Sequence, residues 1–85
     1  MSDVKAQFDQ AVVAARQLTK KPDNATLLKI YALYKQATAG DVKGERPEGF
    51  NFVEAAKFDA WESEQGTSKD DAMKAYSALI AKLRG

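Results

Sequence analysis

GDVKGERPEGFN, residues 40–51, decides how this chain folds. The twelve residues carry three glycines, one proline and five charges with no apolar period, so they read as a long ordered loop. A loop this long can cross the length of a neighbouring helix. The helices on either side are therefore free to run in the same direction, as one long crossover between two short hairpins. Upstream, Leu27, Leu28, Ile30, Tyr31, Leu33, Tyr34 and Ala37 cover more than one side of a helix capped by Asp23 or Asn24 and stopped by Gly40. That breadth predicts the most enclosed helix of the fold. Downstream, Asn51 with Glu54 signals a helix start, and Phe52, Ala55, Ala56, Phe58 and Trp61 follow at helical spacing towards a stop at Gly66.

The outer segments complete the pattern. From Ser2 or Asp3, the apolar residues Val4, Phe8, Ala11, Val12, Ala15 and Leu18 describe a first helix, interrupted by TKKPD at residues 19–23 because proline cannot extend it. So short a connection predicts an antiparallel second helix. Ser68 with Asp71, or Thr67 with Asp70, starts a last helix striped by Ala72, Met73, Tyr76, Leu79, Ile80 and Leu83. Asp70 and Asp71 in its first turn and Lys82 and Arg84 in its last suit the helix dipole. With no strand pattern and no repeat, the reading is an all-α, four-helix domain spanning residues 1–85.

Composition narrows the function. A chain of 85 residues hides only about 60 to 65% of its unfolded surface, so its core is thin. It has no cysteine and no histidine, which removes the thiol nucleophile, the commonest general base and the commonest transition-metal ligands. Neither a catalytic residue nor a metal site is expected. Thirteen basic residues against twelve acidic ones, net +1, lack the broad positive field on which nucleic-acid binding relies. No stretch has the apolar length of a signal peptide, or the roughly 20 residues of a membrane span. The expected setting is soluble and cytoplasmic.

Within YALYKQATAG, residues 31–40, Tyr31, Tyr34 and Lys35 stand at i, i+3 and i+4 and are expected to share one face. Two readings fit: the phenols fill core space while the lysine is solvated, or a base stacks and a phosphate is held there. Lys57, between Ala56 and Phe58, is placed to pack its stem and extend its ammonium to a shared anion. Arg16, Lys20 and Lys21 gather at the end of the first helix, where solvated charge is the plainer account. Glu62, Glu64, Asp70 and Asp71 are read as solubility and capping residues, and Gly44, Pro47 and Gly49 as shaping the loop.

Five motifs in order identify a resemblance: Y-x-x-Y-K-Q-A-T at 31–38, G-D at 40–41, E-R-P at 45–47, A-K-F-D-A-W at 56–61 and G-T-S-K-x-D-A-M-K-A-Y at 66–76. Over essentially its whole length the sequence resembles the acyl-CoA-binding protein family, called diazepam-binding inhibitor in animals. The resemblance implies a bundle running up, down, down, up that binds medium- to long-chain acyl-CoA esters non-covalently, as an intracellular carrier and pool-former with no cofactor and no turnover. It implies a monomer that makes at most transient membrane contact. It assigns Tyr31, Lys35 and Lys57 to the 3′-phosphate of CoA, Tyr34 to adenine, Arg16 to the ligand's phosphates and Tyr76 to a place along the ligand. It aligns Phe8, Val12, Leu28 and Phe52 with positions that line or flank the acyl groove. Phe58, where many relatives have tryptophan, Arg16 for lysine, Glu48 for glycine and Val53 for lysine depart from the family pattern. Two other classes remain at this point: a helix-docking interaction module, and an accessory domain of an enzyme acting on acyl-CoA.

Overall fold

The computed structural model describes residues 3–49 and 51–85. Among them lie four α-helices, α1 (Val4–Arg16), α2 (Asn24–Ala39), α3 (Phe52–Glu62) and α4 (Lys69–Arg84), and no strand. Two starts are fixed by the expected side chains. Asp23 accepts from the Thr26 N–H at 2.8 Å, and Ser68 Oγ accepts from the Asp71 N–H at 3.0 Å, each satisfying an orphan donor of the first turn. The other two starts differ. Asp3 stands at the N-cap of α1 without a side-chain cap bond, and Ser2, the alternative, lies outside the described residues. Asn51 likewise makes no side-chain cap bond, and the Glu54 carboxylate lies 3.4 Å from Lys57.

Both expected helix ends beyond the structure's own have local causes. The first helix stops at Arg16, where the Gln17 N–H turns back to the Ala14 carbonyl (3.0 Å), and Leu18, beyond the helix, lines a hollow with Pro22, Leu27 and Ile30. The third stops at Glu62, short of Gly66, in a series of tight turns in which Glu64, Gln65 and Thr67 donate to the carbonyls of Trp61, Glu62 and Glu64.

Pairings across the helices give their directions. Tyr31 meets Lys57 and Lys35 meets Trp61, so both helices advance together and α2 and α3 are parallel. Gly40 approaches Lys69 while Tyr34 approaches Tyr76, so α2 and α4 are antiparallel. On α1, Lys5 and Phe8 lie beside Lys69 and Met73, and Ala11 and Ala14 beside Ile80 and Arg84, so α1 and α4 run the same way. This is the up, down, down, up order. The short first connection does reverse the chain, yet the backbones of α1 and α2 do not pack; α4 lies against both, and α3 lies against α2.

The core joins Phe8 and Ala11 of α1, Leu33 and Ala37 of α2, and Ala72, Tyr76 and Ile80 of α4. Alanine at three of these positions lets the helices approach closely. With only Ala55 fully buried on α3, that helix sits outside this core. The molecule is a slab of 43 × 30 × 15 Å in which α3 packs against α2 and no other helix.

What seats the crossover loop is a polar knot. Gln36, fully buried, donates from Nε2 to Asp41 Oδ1 (2.7 Å) and to the Thr67 carbonyl (2.8 Å). Asp41 Oδ1 also accepts from the Gly66 N–H at 2.9 Å. Trp61 Nε1 donates to the carbonyl of Gly40 (2.8 Å), whose φ of 85° suits glycine as the helix terminator. Arg46 reaches Asp59 through two bonds of 2.8 and 3.0 Å, tying the loop to α3. Glu64 departs from its surface reading: it is 9% exposed and accepts from Lys29 Nζ.

The knot has a pH signature. The Gly66 N–H and then Gln36 hold the Asp41 carboxyl below its ordinary 3.8, as Thr26 does for Asp23 and Arg46 for Asp59. Folded Asp41 binds its proton less readily than unfolded Asp41, so its stabilisation is complete above 3.8 and is lost as pH falls through the lower folded value. Melting temperature measured from neutral pH downwards is expected to fall in this acid range, and Asp41→Asn is expected to start lower and fall less steeply. Parallel curves for the two proteins would mean the carboxylate's charge plays no part.

Candidate functional site

Because α2 and α3 are parallel, two i, i+4 pairs face each other across the seam: Tyr31 and Lys35 on α2, Lys57 and Trp61 on α3. Lys57 Nζ stands 5.5 Å from the centre of the Tyr31 ring, and Lys35 Nζ stands 4.9 Å from the Trp61 ring. Each helix thus supplies one ring and one ammonium, and each cation rests on the other helix's aromatic face. Such contacts contribute only about 0.5–1 kcal/mol near solvent. They hold a cation without neutralising it. Lys57 also has Glu54 at 3.4 Å, whereas Lys35 has no ion-pair partner among the described residues. Two ammonium groups so placed favour a doubly charged anion between them.

Along the same seam runs a hollow of about 400 Å³. Leu27, Leu28, Phe52, Val53 and Ala56 line it, with Tyr31 and Lys57 towards the helix C-termini. Phe52 and Val53 are 72% and 66% exposed, so the apolar lining continues onto the molecular surface. An exposed apolar trough next to paired cations suits an amphipathic anion with a hydrocarbon part.

Tyr34 does not join Tyr31 and Lys35, and the expected single face divides. A step of three residues rotates a side chain by about 60° around a helix, and α2 is packed on two sides, so that rotation sends Tyr34 towards α1 and α4. Its ring stacks on Phe8 at 5.9 Å and lies 6.2 Å from Tyr76, yet it stays 40% exposed. Phe8, Val12, Tyr34, Ala37 and Met73 line a second hollow of about 470 Å³, with Lys5 and Lys69 at its rim. Leu28 and Phe52 therefore belong to one hollow and Phe8 and Val12 to the other.

Tyr76 is a core residue, 3% exposed, with its ring edge-on to Phe8 at 5.0 Å. Burial, and then Tyr34, raise its phenol above the ordinary 10.0, and Arg16 acts against them. The hydroxyl is therefore neutral at physiological pH, and Arg16 lies on its side of the molecule. Lys20 and Lys21 stand exposed beside Pro22, in keeping with solvated charge. Among the described residues no cluster of acidic side chains is placed to hold a metal.

Sequence reading passed over Trp61 as a site residue and placed it on an apolar stripe. The available signal was its position four residues after Lys57, repeating the spacing of Tyr31 and Lys35. Gln36, which seats the loop, showed only its place in the motif at 31–38, since its partners Asp41 and Thr67 lie in other turns of the chain.

A family model described as acyl CoA binding protein matches residues 5–80. The chain is 45% identical over 76 residues to acyl-CoA-binding protein homolog 1 of Caenorhabditis elegans, covering 89% of this chain and 88% of that one. It is 45% identical over 76 residues to the acyl-CoA-binding protein of Saccharomyces cerevisiae, covering 89% and 87% respectively. The crystal structure of Oryza sativa acyl-CoA-binding protein 2 superposes with a TM-score of 0.90 at 36% identity, over 94% of this chain and 89% of that one.

Proposed function

Given that the chain belongs to the acyl-CoA-binding protein family, we propose that its two hollows divide one ligand between them. The protein binds and transports acyl-CoA and does not transform it. In our reading the tail, of medium to long chain, lies in the α2/α3 trough against Leu28 and Phe52. The 3′-phosphate sits between Lys35 and Lys57 beside the Tyr31 hydroxyl. Adenine stacks on Tyr34, in the hollow that Phe8 and Val12 help to line, while Arg16 and the Tyr76 hydroxyl meet the remaining phosphates.

The observation that carries this reading is the adjacency of an open apolar trough and two ammonium groups held on aromatic faces. The two parts do different work. Each buried methylene contributes about 0.8 kcal/mol, so the tail supplies most of the affinity. A phosphate monoester carries about −1.5 to −2 charge, and hydrogen bonds to charged groups are worth about 1.5–3 kcal/mol each, so the cations supply identity. We read the protein as a single domain that acts as a cytoplasmic monomer, meets membranes at most transiently and needs neither cofactor nor nucleic acid. No helix among the described residues is long and apolar enough to cross a membrane.

Calorimetry with palmitoyl-CoA, its 3′-dephospho form and palmitate tests the assignment. The dephospho ester is expected to bind about 100-fold more weakly than palmitoyl-CoA, by loss of two charge-assisted contacts, and palmitate more weakly still. Equal affinity for all three would overturn the site.

A further inference from the structure

We infer that Trp61 is a positioning residue for anion recognition, holding the Lys35 ammonium in place before the ligand arrives. This deepens the proposal that Lys35 meets the 3′-phosphate and rests on it. The geometry has two linked parts. The Trp61 indole N–H is bound to the Gly40 carbonyl at 2.8 Å, which fixes the ring against the C-terminal end of the helix that carries Lys35. The face of that ring then lies 4.9 Å from Lys35 Nζ. A lysine stem has several rotatable bonds, and a free ammonium loses that freedom on meeting an anion. Trp61 has already restricted it.

The nature of the restraint matters. A carboxylate would hold the ammonium too, but it would cancel the charge and have to be displaced by the phosphate. An aromatic face attracts the cation through its quadrupole and leaves the charge available. Lys57 shows the contrast, since it has both the Tyr31 ring and Glu54 at 3.4 Å. Lys35 is the cation kept ready, and Trp61 keeps it so. Restricting Lys35 benefits only a ligand that carries the phosphate, so Trp61 sets discrimination rather than general affinity.

Trp61→Leu removes both the face and the N–H, whereas Trp61→Phe keeps a face and loses the tether to Gly40. Each is compared by calorimetry with palmitoyl-CoA and its 3′-dephospho form, alone and combined with Lys35→Met. Trp61→Leu is expected to weaken palmitoyl-CoA about fivefold, leave the dephospho ester within about twofold, and add nothing in the Lys35→Met background. Trp61→Phe should recover part of the loss. Equal weakening of both ligands, or the same loss with Lys35 already replaced, would make Trp61 structural and overturn the inference. Should Trp61→Leu fail to fold, fluorescence decides. Trp61 is the sole tryptophan, and Lys35→Met is expected to change its emission in ligand-free protein. Unchanged emission overturns the contact. A parent protein that does not distinguish the two esters would instead overturn the phosphate site, and the inference with it.

Discussion

Replacing Lys35 and Lys57 together with alanine is expected to weaken palmitoyl-CoA binding by about 100-fold to 10,000-fold while leaving the melting temperature within a few degrees. Each ammonium offers a charge-assisted hydrogen bond to the phosphate, worth about 1.5–3 kcal/mol. The two losses should not add fully, because both cations address the same anion. Neither lysine is a structural keystone. Lys57 and Glu54 form a half-exposed pair three residues apart, of a kind that contributes about 0–1 kcal/mol, and Lys35 has only the Trp61 face. Calorimetry paired with a thermal melt separates the outcomes. Unfolding of the double variant, or unchanged affinity, would show that these cations do something other than hold the ligand.

The second large effect concerns stability. Tyr76→Ala is expected to cost about 3–5 kcal/mol, because it empties a site walled by Phe8 and Tyr34. In a domain this small each kcal/mol moves the midpoint by about 4–8 °C, so the melting temperature should fall by roughly 12 °C or more. Tyr76→Phe keeps the ring and removes only the hydroxyl. It should melt close to the parent and lose affinity only to the extent that the hydroxyl touches the ligand. Differential scanning calorimetry on both variants checks the point: an Ala variant as stable as the parent would mean that the pocket closes without cost. The pair divides Tyr76 into a core ring and a polar tip, two roles that binding data on the Ala variant alone would merge.

Much of the fold could be read locally. Asp23 and Ser68 act at a range of three residues, and the apolar stripes of α1 and α4 obey the helical period, so neither depends on the rest of the chain. Boundaries were less legible where tertiary packing competed. Leu18 continues the stripe in sequence but lies beyond the helix, where it lines a hollow with Pro22, Leu27 and Ile30. Glu64 looked like one more surface charge until the turn after α3 carried it to Lys29, 35 residues away.

The sequence by itself determined four helices, a long crossover, the absence of thiol and imidazole chemistry, and the motifs that identify the family. Spacing could also place Tyr31, Tyr34 and Lys35 near one another on α2. Only the tertiary structure decided that Tyr34 turns to Phe8 and Tyr76 while Tyr31 and Lys35 turn to Lys57 and Trp61. The reason is geometric. Helical periodicity fixes the angle between side chains on one helix, but which neighbour fills each side of that helix depends on partners distant in sequence. Here the loop that follows Gly40, seated by Asp41 and Arg46, sets α3 parallel to α2 and brings the two ammonium groups to the same seam.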